Sequence, residues 1–128
     1  TPEDEETMRQ HTLLGARMLE ELDVYRDEDF VRVAYQICRW HHERYDGSGY
    51  PDQLVGEQIP IAAQVVGLAV AYETLTTGSG SQPPVPCAAA VQMLCTGEAG
   101  AFNPVLLDCL REIENEIDDA MHRRPETL

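Results

Sequence analysis

His41-His42-Glu43-Arg44-Tyr45-Asp46-Gly47-Ser48-Gly49-Tyr50-Pro51 joins the end of a helix to a glycine-rich turn within eleven residues. Upstream, Phe30, Val33, Ala34, Ile37, Cys38 and His41 recur at helical spacing. The histidine pair therefore closes a helix, with His41 on the inward stripe and His42 about 100° further round. Gly47, Gly49, Pro51, Gly56 and Pro60 then punctuate a loop from Asp46 to Ile59. The glycines let backbone turn tightly beside two imidazoles, which bind metals or pass protons.

Working outward, the chain opens with Thr1 as a candidate N-cap and Pro2 at the first helical position. Glu3, Asp4 and Glu5 follow, suited to the positive end of the helix dipole. Met8, His11, Gly15, Met18, Leu19 and Leu22 form a helical stripe that predicts an inward His11. An acidic connection, Asp23 to Asp29, leads to the second helix. Beyond the loop, Pro60 starts a third helix to about Thr76, apolar on nearly all sides and predicted to be central and buried. Gly67 within it suits close packing of a neighbour. Gly78 to Pro84 has the composition of a flexible linker.

A fourth helix covers about Pro86 to Cys95 and is ended by Gly97 and Gly100. Asn103-Pro104 opens a fifth as N-cap and first residue, and Leu106, Leu110, Ile113, Ile117 and Met121 give it one apolar face. No segment alternates with period two and no repeat is visible. The fold class is all-α, a bundle of about five helices in one domain over residues 1–128.

The composition limits the partners. A net charge of −14, from 9 basic against 23 acidic residues, repels nucleic-acid polymers and anionic membrane surfaces. The longest apolar stretch, Ile61 to Ala71, is too short to span a bilayer, and no leader of basic start and apolar run is visible. Cys38, Cys87, Cys95 and Cys109 lack C-x-x-C or zinc-ribbon spacing and stand in apolar helical contexts. They point to a reduced, cytoplasmic compartment without structural disulfides.

His11, His41 and His42 are predicted to converge on one interior region. Three imidazoles suit a divalent transition ion such as iron, manganese, zinc or nickel, and Glu43 and Asp46 are candidates to orient the rings. An ordinary hydrogen-bonded core role for each histidine is the competing assignment. His122, in the C-terminal tail, reads as surface.

These residues resemble the HD-GYP subgroup of the HD metal-dependent phosphohydrolases. The resemblance rests on His41 to Pro51, Gly56-Glu57-x-Ile59-Pro60, His11-x-x-x-Gly15, Tyr72-Glu73-x-Leu75-Thr76 and Gly100-x-Phe102-x-Pro104, and spans essentially the whole chain. It implies a bacterial signalling domain of a kind that hydrolyses cyclic di-GMP at a two- or three-metal centre. It puts His11, His41 and His42 on metal-ligand positions. Asp46, Gly47, Gly49, Tyr50 and Pro51 fall in the namesake loop, which the family uses to dock diguanylate cyclase-type domains. Tyr50 is expected there as an exposed aromatic anchor; packing of its ring against its own helices is the alternative.

Three departures accompany the resemblance. Nothing upstream of His11 supplies the family's His-Asp dyad, which implies a C-terminal portion of the family domain. Val70 occupies the position of an aspartate ligand. Thr77 to Gln82 contains no Lys or Arg where the family has a phosphate-binding basic stretch. Together they imply a degenerate, non-catalytic regulatory or protein-interaction module holding at most a single divalent ion. A diguanylate cyclase-type domain or another signalling protein is its implied partner, and an uncovered apolar face implies self-association. The rivals are an active metal-dependent cyclic di-GMP phosphodiesterase seen here as a truncated piece and a nucleotide sensor that binds without hydrolysis.

Overall fold

The computed structural model describes the backbone of residues 2–20 and 28–122, with side chains described in that range except at 4–5, 7–8, 19–20 and 115–122. The expected N-cap Thr1, Leu22 and most of the acidic connection lie outside the described residues. So do the side chains of Met8, Leu19, Ile117, Met121 and His122. Among the described residues five α-helices follow one another: α1 (Pro2–Glu20), α2 (Asp29–Trp40), α3 (Ile61–Thr77), α4 (Cys87–Thr96) and α5 (Pro104–His122). Among the described residues, a 3-10 turn, Gly56–Gln58, precedes α3 and no strand is present. The all-α class stands. Two compact units divide at Ala69 and Val70, with α3 running through the boundary.

In the first unit α1 packs on α2 through small side chains. Thr12 and Ala16 are buried, and Gly15 lies so close to α2 that an added methyl would touch Cys38 Cβ at 3.4 Å. The buried face of α1 is thus turned by about one residue from the expected stripe. His11 is exposed and Met18 is 64 % exposed. Small residues win the interface because they allow the helix axes to approach; bulky Met18 would hold them apart. Thr12 satisfies its buried hydroxyl by donating to Arg9 O at 2.8 Å.

Likewise α2 buries Val31, whereas Phe30, expected inward, is 69 % exposed and Val33 is exposed too. The start of α3 departs from expectation as well. It buries one narrow stripe, Ala63, Gln64, Gly67 and Leu68, and leaves Ile61 59 % exposed. Apolar composition all round a helix does not bury all of it; packing partners do. Gln64 is tolerated inside because its Nε2 donates to Ile59 O at 2.8 Å. Gly67 meets the end of α2, where a methyl would stand 2.5 Å from His41 O, so this glycine permits the contact.

The second unit centres on Ala90, Val91 and Leu94 of α4 with Phe102 and Leu110. Gly97 ends α4 in the left-handed conformation (φ 86°), and its N–H and that of Glu98 both donate to Met93 O. Asn103 caps α5 by accepting from Val105 N at 2.9 Å, as predicted. Leu110 is buried on α5, but Ile113, expected on the same face, is exposed. The Gly78 to Pro84 segment is a closed turn, not a loose linker. Ser79 N donates to Gln82 O at 3.0 Å and Gln82 N to Ser79 O at 2.8 Å, with Gly78 and Gly80 at positive φ. No helix among the described residues is long and apolar enough to cross a membrane.

Candidate metal centre

The end of α2 builds the site. His41 caps the helix, its N–H donating to Ile37 O at 3.0 Å. The chain then turns, with Glu43 N donating to Trp40 O at 3.1 Å, and the two neighbouring imidazoles come to 4.1 Å between ring centres. His11 arrives from α1, its ring 5.7 Å from that of His41 and 5.0 Å from that of His42. One nitrogen of each histidine lies within 4.8 Å of the others. The predicted trio is brought together, although His11 approaches from an exposed flank of α1 rather than from its buried face.

The protonation pattern suits metal binding. His41 Nδ1 lies 2.7 Å from Ile37 O. A carbonyl only accepts, so Nδ1 carries the proton and Nε2 keeps its lone pair. Burial lowers the pKa of His41, partly opposed by that carbonyl. Burial, reinforced by His41, His11 and Arg44, drives His42 down to about 4. Both rings are therefore neutral near pH 7, the form that donates to a metal.

A depressed imidazole pKa makes the metal-free fold lose stability as acid is added. The unfolded chain takes up the His42 proton near pH 6.5, while the folded chain resists until about 4. The expected result is a thermal midpoint that falls between pH 6.5 and 4. His42→Gln should flatten that fall in a pH series of melting curves.

Glu43 and Asp46 do not orient the imidazoles as expected. The Glu43 side chain is buried, the residue being 5 % exposed, and its two oxygens accept from Asp52 N at 2.6 Å and Leu54 N at 2.7 Å. Asp46 closes its own turn by accepting from Ser48 N and Ser48 Oγ, which hold its carboxyl below the usual range. The reason is local geometry. A loop returning on itself leaves backbone N–H groups without helical partners, and the nearest carboxylates satisfy them. Glu43→Ala strands two of those donors and is expected to cost about 3 kcal/mol, measurable by urea unfolding.

The returning loop is fixed at several further points. Asp52 receives Arg39 Nε at 2.8 Å and Trp40 Nε1 at 2.7 Å from the last turn of α2. Gly56 N donates to Tyr45 O, and Tyr50 N to His42 O at 3.3 Å. Gly49 is buried against the backbone of His42, Glu43 and Arg44, with no room for a side chain. The Tyr50-Pro51 peptide is cis. Tyr50 is half-buried rather than an exposed anchor, its ring stacked on His42 at 5.0 Å and 17°. Arg9 lies over the same tyrosine at 5.6 Å.

Sequence reasoning passed over Arg9, Trp40 and Asp52. Arg39-Trp40 and Asp52 do bracket the motif, a cation and an indole donor on one side and an acceptor on the other. Arg9 carries no such signal, because its partner is set by how the loop returns.

Residues 1–105 match the HD domain family. The chain belongs to the HD domain family. Within this HD domain the His41 to Pro51 motif is of the HD-GYP type. It is 36 % identical over 123 residues to a probable cyclic di-GMP phosphodiesterase of Vibrio cholerae, covering 94 % of this chain and 28 % of that protein. It is 30 % identical over 123 residues to the cyclic di-GMP phosphodiesterase of Thermotoga maritima, covering 96 % and 32 %. It is 34 % identical over 110 residues to the cyclic di-GMP phosphodiesterase response regulator RpfG of Xanthomonas campestris pv. campestris, covering 86 % and 28 %. The chain thus spans about a third of the length of these relatives.

HD domains are metal-dependent phosphohydrolases, and the donor set here fits a divalent transition ion: three imidazoles, close together, one with its tautomer already fixed. Such an ion supplies Lewis acidity and a bound water of lowered pKa when present.

Proposed function

We propose that this HD-GYP domain is a non-catalytic regulatory module in cyclic di-GMP signalling, with a centre that holds one divalent ion on His11, His41 and His42. One observation carries this. Among the described residues, the one group of side chains that converges as a metal site contains no carboxylate, and the nearby carboxylates of Glu43 and Asp46 are engaged with loop groups.

Charge decides the number of ions. Two divalent cations about 4 Å apart repel by roughly 16 kcal/mol at an effective dielectric near 20, four times the value for unit charges. Neutral imidazoles offset none of that repulsion. Val70 stands at the position of a family aspartate and cannot help, and Thr77 to Gln82 offers no cation to a phosphate. The exposed Phe30 and Met18 support a protein-binding role, with a second copy or a diguanylate cyclase-type domain as partner.

The relatives' names favour a second reading, a cyclic di-GMP phosphodiesterase. Incubating the manganese- or iron-loaded full-length protein with cyclic di-GMP and separating the products chromatographically distinguishes them. No linear dinucleotide above a metal-only control is expected; sustained turnover overturns the non-catalytic reading. Calorimetric titration with cyclic di-GMP is expected to show no binding heat, and saturable heat without turnover would assign a nucleotide sensor instead.

A further inference from the structure

Ligand count alone does not explain how His42 is held. Its backbone carbonyl accepts from Tyr50 N, and its ring lies nearly parallel to the Tyr50 ring at 5.0 Å. One loop residue therefore touches both the main chain and the ring of one candidate ligand. An imidazole on a chain that has just left a helix has two free side-chain torsions, and a flat aromatic against one face restricts them. Restricting the ring before an ion arrives removes an ordering cost from binding.

The loop that presents Tyr50 is itself held from both sides. Glu43 secures it from within, at Asp52 N and Leu54 N. From outside, the Asp52 carboxylate is gripped by Arg39 and Trp40 at the end of the same helix that carries His41. Arg9, on the helix that carries His11, lies over the Tyr50 ring. Arg39 and Trp40 on α2 and Arg9 on α1 thus reach the loop from the two helices that also deliver the histidines.

We propose that Tyr50 is a positioning residue for His42, so that the closed loop and the affinity of the three-histidine centre for a divalent ion rise and fall together. The proposal deepens the functional reading by naming how its metal centre is regulated. It rests on the metal half of that reading and not on the absence of hydrolysis.

Cobalt(II) titration of the full chain, followed by the visible absorption of the bound ion, tests it. Tyr50→Phe keeps the stacked ring and should bind within about twofold of the unaltered chain. Tyr50→Leu fills similar space without a flat face and should bind roughly 10- to 100-fold more weakly, with an altered spectrum, the penalty typical of losing a group that orients a metal ligand. Asp52→Asn, whose carboxylate bonds Arg39 and Trp40 and no imidazole, should weaken binding in the same direction by loosening the loop.

Unchanged affinity and spectrum in Tyr50→Leu overturn the proposal. Should circular dichroism show that this variant is unfolded, unchanged affinity in Asp52→Asn overturns it instead. If the unaltered chain takes up no cobalt, the proposal and the metal centre fall together. If it hydrolyses cyclic di-GMP, only the non-catalytic reading falls.

Discussion

Replacing His42 with alanine is expected to abolish tight binding of a divalent transition ion while leaving the helical content of the chain intact. The ion would be held by three neutral donors with no anion to compensate for a missing one. Loss of a group that merely orients a ligand costs roughly 10- to 100-fold in affinity, and loss of a ligand should cost far more. The fold should survive, because His42 lies in the turn after α2 and its ring is not part of the buried core. Calorimetry with zinc, and circular dichroism on the same sample, check both halves. His11→Ala should behave similarly, since this ring is exposed and contributes little else. Retention of high affinity in either variant would assign the ion to other residues.

Gly49→Ala is expected to be the most disruptive single methyl in the first unit. The added carbon would stand 2.5 Å from Arg44 N and 2.6 Å from Glu43 Cα, and closer still to His42 O. All three are backbone atoms that cannot rotate away. The loop must lift, taking with it the Tyr50 N to His42 O bond and straining the Glu43 strut. A cost of about 3 kcal/mol follows, at the upper end for overpacking, which for a chain of this size lowers the melting temperature by on the order of 10 °C. Metal affinity should fall with it, because His42 is displaced.

Gly80→Ala provides the contrast. That glycine has positive φ but nothing within 4 Å, so its cost is the backbone term alone, about 1–2 kcal/mol. Comparable destabilisation in the two variants would mean that the Gly49 contact does not exist in solution.

Helix number, several helix ends and the adjacent pair His41-His42 were legible in the sequence because each is written locally, whereas His11 was expected on the buried face of α1 and lies exposed. Pro104 after Asn103, Gly97 after α4 and the adjacent histidines at the end of α2 report short-range geometry that the chain cannot avoid. Burial was less legible. Phe30, Met18 and Ile61 have core composition yet lie exposed, because which stripe is covered depends on the neighbour's shape. On α1 that neighbour selected Thr12 and Ala16, whose small volume matters more than their hydrophobicity. The roles of Glu43, Asp52 and Tyr50 were hidden for another reason. They depend on the path by which the loop returns to α2, and a carboxylate near two histidines reads equally well as a metal partner or as a strut.

The number of ions held per chain decides whether His11, His41 and His42 form a mononuclear site. Native mass spectrometry of the chain, loaded with manganese, iron or zinc and then freed of loosely held metal, should show one ion per polypeptide, lost in His42→Ala. Two or three tightly held ions on the unaltered chain would contradict the account, since a carboxylate-free trio of histidines could not hold them.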